Sequence, residues 1–389
     1  MCSSKSWLRL PIAPILIIFI CLFGTIACSS SGRVLAQDRL FLNRSLEFLD
    51  AVTLPRQAFA ETPVGGLSAI AYDRQRGIYY ALSDDRGNRA PARFYTLQID
   101  LSPDRTQIQA VEIAGVKYLQ TPEGELFAPG SLDPEGLAIA PGNSLYISSE
   151  GSPRDGVEPF IARFDLATGR QLDQLPLPER YLPRIEGDRG IKENRGFEAL
   201  TLGTTGLSDV DPYRVFAATE STLEQDELPL DAPSDIPARV RVLHYAINSV
   251  SAPTLVAEHV YLLDLAPLGT AANGLTELVA LPTEGYFLSL ERTYSPLQGN
   301  GAKIFQIAVG NATDTSQVGS LSSSLGQIVP LKKRLLLDLS TLDYPLDNLE
   351  GMTLGPLLPD GSQSLLLISD DNFSEKQTTQ LLLLRLVKG

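Results

Sequence analysis

One short pattern occurs five times along this chain of 389 residues. Each copy pairs two strand-like apolar runs, and the second run ends in an acid, as in "DPEGLAIAPGNSLYISSE" at 133–150. The copies begin 67, 63, 79 and 73 residues apart. This period is too long for a helical solenoid and fits four-stranded repeats with generous loops. The copies begin at Ser68, Glu135, Glu198, Glu277 and Glu350.

Further strand-like runs follow each copy, such as "FIARFDL" at 160–166 and "QLDQLPL" at 171–177. We find no sustained 3.6-residue periodicity, and the 31 glycines and 27 prolines supply many turns. We therefore predict an all-β fold, a β-propeller of five to six four-stranded blades. Pairing of 45–55 with 379–386 would close the ring and remove an exposed edge. The alternative, a sandwich or two barrels, does not explain the repeated acids.

The N-terminal segment has the pattern of an export signal. Lys5 and Arg9 precede an apolar run, and Thr25-Ile26-Ala27-Cys28 resembles a bacterial lipoprotein cleavage box. We predict a signal peptide over 1–27, lipidation of Cys28, a tether over 28–44 and a single propeller domain over 45–389. Cleavage after Ala36 and an uncleaved anchor are the alternatives. We expect an exported protein, either membrane-anchored or free in the periplasm or outside the cell.

Composition excludes several classes of function. The net charge of −14 repels nucleic-acid backbones. All three cysteines lie within the first 28 residues, so the mature domain has no disulfide or cysteine metal site. With only His244 and His259, a histidine-rich zinc site is excluded and a Ser-His-Asp triad is disfavoured. We expect a monomer that touches the membrane only through its lipid anchor.

The repeated acids are expected to converge around the propeller axis. Residues two apart on a strand share a face, so each strand end would present one carboxylate to the channel. Converging carboxylates need a counter-charge, which Ca²⁺ or the nearby Arg86, Arg195 and Arg292 can supply. The alternative is structural, with each acid binding the backbone of the next blade. The predicted cation ligands are Asp84, Asp85, Glu135, Glu150, Glu220, Glu277, Glu350 and Asp370.

Several segments together resemble a known family. "GLSAIAYD", "DPEGLAIA", "ENRGFEALTL", "LSLERTY", "NLEGMTLG" and "LLLISDDNF" are similar to the phytase-like family, also described as esterase-like activity of phytase. The resemblance spans about Gly65 to Leu386 and implies an exported β-propeller with phosphatase or esterase activity. The first unit departs from the pattern, with Ser68 in place of the opening glutamate. The resemblance points to Glu135, Glu198, Glu220, Glu291, Glu350 and Asp370.

Metal-assisted hydrolysis is the predicted chemistry, acting on a small anionic or ester substrate, either a phosphate or a carboxylic ester. Bound Ca²⁺ would lower the pKa of a water, and arginines would clamp anionic oxygens. The charged segment 179–196 could cover the channel or be a solvated loop. The alternative function is a non-catalytic propeller that binds a ligand or protein. The predicted catalytic residues are Glu198, Glu291, Arg195 and Arg292.

Overall fold

The computed structural model describes residues 1, 40–184, 187–203 and 211–388. The predicted signal peptide, Cys28 and most of the tether lie outside the described residues. The chain divides into two compact units, Met1–Leu42 and Asn43–Gly389. Within the described part of the chain, no helix is long and apolar enough to cross a membrane.

The second unit consists of five four-stranded sheets and one short hairpin. Strand β1 (Arg44–Thr53) belongs to the last blade, and β2 (Gln57–Phe59) and β3 (Thr62–Val64) form the hairpin. The first blade is β4 (Leu67–Asp73), β5 (Ile78–Ser83), β6 (Arg93–Leu101) and β7 (Ile108–Tyr118); the second is β8 (Pro134–Ala140), β9 (Ser144–Ser149), β10 (Phe160–Asp165) and β11 (Gln171–Gln174). The third is β12 (Phe197–Leu202), β13 (Tyr213–Thr219), β14 (Arg239–Ile247) and β15 (Thr254–Leu262); the fourth is β16 (Ala272–Ala280), β17 (Tyr286–Ser295), β18 (Gly299–Ala308) and β19 (Lys332–Asp338). The fifth is β20 (Asn348–Leu357), β21 (Gln363–Asp370), β22 (Gln380–Lys388) and β1.

The ring closes through the two ends of the propeller, as the sequence predicts. Strand β1 pairs antiparallel with β22, with Phe48 opposite Leu384. The innermost strands β4, β8, β12, β16 and β20 contact one another in this order around the axis, and β20 contacts β4. The sequence allows five or six blades, and the residues described here form five.

The apolar core lies between neighbouring blades. One cluster joins Tyr146 of the second blade to Leu200 and Tyr245 of the third, and the ring of Tyr181 stacks on Phe197 with centroids 5.1 Å apart. Because the apolar side chains pack between neighbouring blades, the strand ends around the axis carry polar residues. The site described below is built from those ends.

Each innermost strand carries a one-residue register shift near its start. In β12, Phe197 pairs with Thr219 and Ala199 with Ala218, so Glu198 has no partner across the strands. A bulge of this kind re-aims the side chain of the extra residue. The equivalent extra residues of the other blades are Ser68, Glu135 (with Gly136), Thr276 and Glu350.

Candidate functional site

The register shift defines three equivalent positions in every blade, all at the same end of the channel. Position two is the extra residue of the shift, and position one lies two residues before it. Position three lies opposite position one, in the second half of the second strand or directly after it. From the first blade to the fifth, position one is Gly66, Asp133, Gly196, Gly274 and Asn348. Position two is Ser68, Glu135, Glu198, Thr276 and Glu350. Position three is Asp84, Glu150, Glu220, Arg292 and Asp370.

These positions surround a cavity of about 840 Å³, which we call the acidic cavity. This volume is in the range of sites for small molecules. Arg86, Arg292 and Asn194 also line it. The side chain of Glu220 lies almost wholly buried beside it. The acids that line it are Asp84, Asp133, Glu135, Glu150, Glu198, Asp347, Glu350 and Asp370.

Two groups of three carboxylates meet at Glu150. In the first triad, Asp133, Glu135 and Glu150 each place an oxygen within 4.8 Å of the others. In the second triad, Glu150, Glu198 and Glu220 do the same. Glu198 Oε2 is buried and accepts no hydrogen bond from the described residues. An all-oxygen donor set with an unsatisfied buried oxygen fits a hard cation such as Ca²⁺.

Three arginines partly neutralise the carboxylates. Arg292 donates from Nη2 to Glu220 Oε1 at 3.1 Å and lies 3.6 Å from Glu350 Oε1. Arg195 donates to the other oxygen of Glu220 at 2.9 Å. Arg86 forms an ion pair with Asp133. With Glu220, nine carboxylates therefore face three guanidinium groups and the ammonium group of Lys376, and the cavity keeps an excess of negative charge.

Burial and the excess negative charge raise the pKa of several carboxyl groups in the cavity. Burial, together with neighbouring carboxylates, raises the pKa of Glu135, Glu150 and Glu198 well above the ordinary value. Burial raises the pKa of Glu350 to about 7, against the opposing charge of Arg292. Burial also raises the pKa of Asp133 to about 6, although the positive charge of Arg86 opposes the shift. These shifts favour the binding of protons or of a cation in the cavity near neutral pH.

Segment 187–196 lies at the mouth of the acidic cavity. Arg86 donates to Asn194 Oδ1 at 2.8 Å, and Glu193 accepts a hydrogen bond from the Ser152 hydroxyl at 3.2 Å. Arg195, from the same segment, holds Glu220 as described above. The segment therefore connects loops of the first three blades at the mouth of the cavity.

A family model described as phytase-like, esterase-like activity of phytase, matches residues 62–373. The chain belongs to the phytase-like family. No protein among the curated sequences matches it. Among solved structures it is similar to an endo-arabinase from Bacteroides thetaiotaomicron, with 12% identity and a TM-score of 0.41 over 86% of this chain and 96% of that one. The α-L-arabinofuranosidase from Lactobacillus brevis is 10% identical, with a TM-score of 0.42 over 82% and 91% of the two chains. The Pan2 WD40 domain from Neurospora crassa is 8% identical, with a TM-score of 0.35 over 89% and 96%.

The fourth blade of this phytase-like propeller departs from the predicted acid pattern. Its position two is Thr276 and its position three is Arg292, where the sequence pattern had placed Glu277 and Glu291. Both acids are one residue away from the equivalent positions. Because strand side chains alternate between faces, a shift of one residue moves a side chain to the other face. A strand register that differs by one residue from the predicted one therefore explains the positions of both Glu277 and Glu291.

Glu291 lies outside the acidic cavity. Its carboxylate accepts hydrogen bonds from the Tyr261 hydroxyl and from the backbone N–H of Asp264 at 2.8 Å, and it pairs with Lys333. It lines a separate cavity of about 180 Å³. The structure therefore does not place Glu291 where it could act with Glu198.

Glu277 binds backbone groups of three blades. Its Oε1 accepts N–H donors from Leu200 at 3.3 Å and Leu278 at 2.9 Å, and its carboxylate also accepts from Met352. It is 2% exposed and does not line the acidic cavity. This is the blade-bridging role that the sequence leaves open for each acid.

Asp85 also has a structural environment. Its carboxylate accepts from the backbone N–H of Asn88 at 2.8 Å and of Ala90 at 3.0 Å, and from Arg93 Nη1 at 2.8 Å. These hydrogen bonds outweigh burial and lower the pKa of Asp85. Its oxygens are occupied, and the neighbouring Asp84 is the one that lines the cavity.

Two residues of the site were not among the predicted ligands. Asp133 completes the first triad, and Asn348 Oδ1 accepts from Arg292 Nη1 at 2.7 Å. Both stand two residues before a position-two glutamate, in "DPEG" and "NLEG". That shared spacing is the signal that could have identified them.

The histidines lie away from the acidic cavity. His244 stacks on Phe216 with ring centroids 4.3 Å apart, and the rings of His244 and His259 are 6.2 Å apart in the third blade. Burial lowers the pKa of His244 to about 4, so it is neutral at physiological pH. Neither ring lines the cavity with the carboxylates.

Glu277→Ala is expected to destabilise the propeller by about 2–4 kcal/mol, because it leaves buried backbone N–H groups of three blades without an acceptor. Urea unfolding of both proteins measures the difference. Glu284→Ala, which removes an exposed glutamate from the next turn, is the matched control and should be neutral. Equal stability of the two variants would contradict the bridging role.

Proposed function

We propose that this phytase-like propeller hydrolyses a small phosphate or carboxylic ester in the acidic cavity, with Ca²⁺ as its metal. The observation that carries the proposal is the pair of carboxylate triads that share Glu150 beside three arginines. Backbone donors occupy Glu277, and the Gly196 N–H of the next blade occupies Glu150 Oε1 at 2.9 Å, as expected of structural acids. Glu198 Oε2 instead remains unpartnered inside a cavity large enough for a substrate.

The residues that would hold the metal are Asp133, Glu135 and Glu150 of the first triad, which leaves Glu198 of the second triad free for proton transfer. When bound, Ca²⁺ would polarise an ester oxygen and acidify a water. The triads offer carboxylate oxygens only, which suits this ion better than zinc or copper. Asp84, Glu350 and Asp370, on the fifth-blade side of the cavity, extend the same oxygen surface.

The residues of this chain have separable roles in the proposed reaction. Glu198, with a raised pKa and an unpartnered oxygen, would accept a proton from the attacking water at Oε2 and return one to the leaving group. Arg292, whose Nε has no partner among the described residues, and Arg86 would bind anionic substrate oxygens. Arg195 would position Glu220 rather than touch substrate.

We also propose the cellular setting that the sequence favours. The protein would be exported, anchored through Cys28 and monomeric, and it would not bind nucleic acid. The support for export and anchoring is the sequence pattern of residues 1–28, and the support for the last point is the net charge of −14. Metabolic labelling with a fatty acid, with Cys28→Ser as the control, tests the anchor.

A calcium titration of the chain from Gln37 onward tests the catalytic proposal. Melting temperature and the hydrolysis of p-nitrophenyl phosphate and p-nitrophenyl acetate are followed together. We expect millimolar Ca²⁺ to raise the melting temperature by several degrees and to support turnover, since ligand binding stabilises the native state. Glu150→Gln, which breaks both triads, should abolish both responses, and Glu112→Gln on the exposed face of β7 should keep them.

The other outcomes separate the alternatives. Stabilisation by Ca²⁺ without turnover on either ester, or on a wider panel of phosphate esters, would favour the non-catalytic binding propeller. No response to any divalent cation would remove the metal from the proposal and leave the acids as structural elements.

A further inference from the structure

The fourth blade carries a positive charge at position three, where the other four blades carry a negative one. Those four residues are Asp84, Glu150, Glu220 and Asp370, and the residue of the fourth blade is Arg292. The ring of acids around the axis is therefore interrupted at one place. That place is beside the second triad, because the guanidinium of Arg292 contacts Glu220.

The guanidinium of Arg292 binds oxygens of the third and the fifth blade. Its Nη2 donates to Glu220 Oε1 at 3.1 Å and lies 3.6 Å from Glu350 Oε1, and its Nη1 donates to Asn348 Oδ1 at 2.7 Å. Two of these oxygens belong to carboxylates and the third to an amide. Carboxylate and amide oxygens are also the ligands that Ca²⁺ selects. The guanidinium therefore has the kind of oxygen neighbours that a bound hard cation would have.

A glycine makes room for the contact between Glu220 and Arg292. Gly274 pairs with Arg292 across β16 and β17, and a Cβ atom at Gly274 would overlap Glu220 Oε1. Only glycine lets the carboxylate approach the backbone so closely. The other oxygen of Glu220 accepts from Arg195 at 2.9 Å. Both oxygens of this carboxylate are thus paired with arginines.

The two triads differ in how far arginines neutralise them. In the first triad, Arg86 forms an ion pair with Asp133. Within the described residues, neither Glu135 nor Glu150 lies within ion-pair distance of a lysine or an arginine. In the second triad, by contrast, two guanidinium groups hold Glu220. Because like charges repel, a cation is favoured at the first triad and opposed at the second.

We propose that Arg292 takes the place of a second cation, so that the acidic cavity binds a single Ca²⁺, at the first triad. This inference rests on the proposed function and adds the metal stoichiometry to it. The consequence concerns Glu198, whose Oε2 has no partner among the described residues. A cation at the second triad would take this oxygen as a ligand and block proton transfer. Arg292 keeps the oxygen free.

Calorimetric titration with CaCl₂ counts the bound cations without using any enzymatic activity. The chain from Gln37 onward, which contains all five blades, is first treated with EDTA. Sites with a dissociation constant below about 1 mM are counted. We expect one Ca²⁺ per wild-type chain, one for Arg292→Lys, which keeps the charge, and two for Arg292→Gln, which removes it. Arg86→Gln is the matched control. It removes a cavity arginine from the first triad, and it should bind one Ca²⁺, more tightly than the wild type.

A double variant locates the second cation. Glu220→Gln combined with Arg292→Gln removes a carboxylate of the second triad and should return the stoichiometry to one. Two Ca²⁺ bound by the double variant would overturn the inference. If Arg292→Gln does not fold in EDTA, circular dichroism in millimolar Ca²⁺ decides, because a cation that replaces the guanidinium should restore the fold. An Arg292→Gln protein that stays unfolded with Ca²⁺ would overturn the inference as well.

The failure of this inference can be told apart from the failure of the proposed function. Two Ca²⁺ bound by the wild type, or only one by Arg292→Gln, would overturn the inference and leave the metal of the first triad in place. No Ca²⁺ bound by the wild type and one bound by Arg292→Gln would remove the metal from the proposed function and support Arg292 as the built-in cation. No binding by either protein would overturn both.

Discussion

Arg241→Ala is expected to cost the propeller about 3–5 kcal/mol of unfolding free energy. The side chain of Arg241 is fully buried in β14. It donates to both oxygens of Asp226, at 2.5 and 2.9 Å, and it pairs with Glu258. Removing the guanidinium leaves the buried Asp226 without its ion-pair partner and Glu258 with Arg180 alone, at 3.4 Å. Loss of one partner from a buried pair typically has this cost.

The same network holds the segment that leads to the acidic cavity. Glu258 also accepts the Tyr181 hydroxyl at 2.8 Å, and Arg180 donates to the Val318 carbonyl at 2.9 Å. Tyr181 and Arg180 lie in the segment that continues to Asn194 and Arg195 at the mouth. Destabilisation by Arg241→Ala should therefore be accompanied by faster proteolysis within 179–196.

Urea and thermal unfolding measure the effect. A loss of this size in a domain with an ordinary stability of 5–15 kcal/mol lowers the melting temperature by about 10 °C. Arg214→Ala in the adjacent strand β13 is the matched control, because Arg214 is exposed. It should change stability by less than about 0.5 kcal/mol. An Arg241→Ala protein as stable as this control would show that the buried pairs contribute nothing.

The metal-free propeller is expected to lose stability as the pH rises from about 5 to 8. Folding raises the pKa of Glu350 to about 7 and that of Asp133 to about 6. A carboxyl whose pKa is raised by folding stabilises the native state below its unfolded pKa, and this contribution is lost as the pH rises through the folded pKa. Shifts of this size correspond to about 3 kcal/mol for each group, and the two are not additive.

At the proposed site, Ca²⁺ is expected to reverse this trend, because it would bind the ionised carboxylates and release their protons. Melting curves at pH 5, 6, 7 and 8, with EDTA or with millimolar Ca²⁺, measure both effects. We expect the melting temperature in EDTA to fall by roughly 5 °C or more over this range, and the fall to be smaller in Glu350→Gln. A melting temperature in EDTA that is flat or rises up to pH 8 would contradict the crowded-carboxylate description of the cavity.

The sequence alone determined the type of fold and most of the residues at the acidic cavity. Two apolar runs ending in an acid, repeated five times, require antiparallel strands that converge on one axis. For that reason Glu135, Glu150, Glu198, Glu220, Glu350, Asp84 and Asp370 were all found by pattern, and all lie at one end of the channel. The terminal runs that pair as β1 and β22 were found in the same way.

Only the tertiary structure decided which side of each strand the acids occupy in the fourth blade. A register shift inserts one residue without leaving a mark in the hydrophobic pattern, so Thr276 and Glu277 are equally good starts for the repeat in sequence. The choice between them moves every following side chain to the other face, because strand side chains alternate with a period of two. Arg292 therefore stands where an acid was expected.

The buried Arg241 network and the exposed leucines beside the fourth blade also required the tertiary structure. Asp226, Arg241 and Glu258 are brought together from a connecting loop and two strands, and their individual sequence surroundings predict only exposed charges. Leu268 and Leu297 are ordinary apolar residues in sequence, and only the fold shows that no other described element covers them. Local pattern specifies which residues a strand carries, whereas packing between distant segments decides which of them are buried, paired or left in solvent.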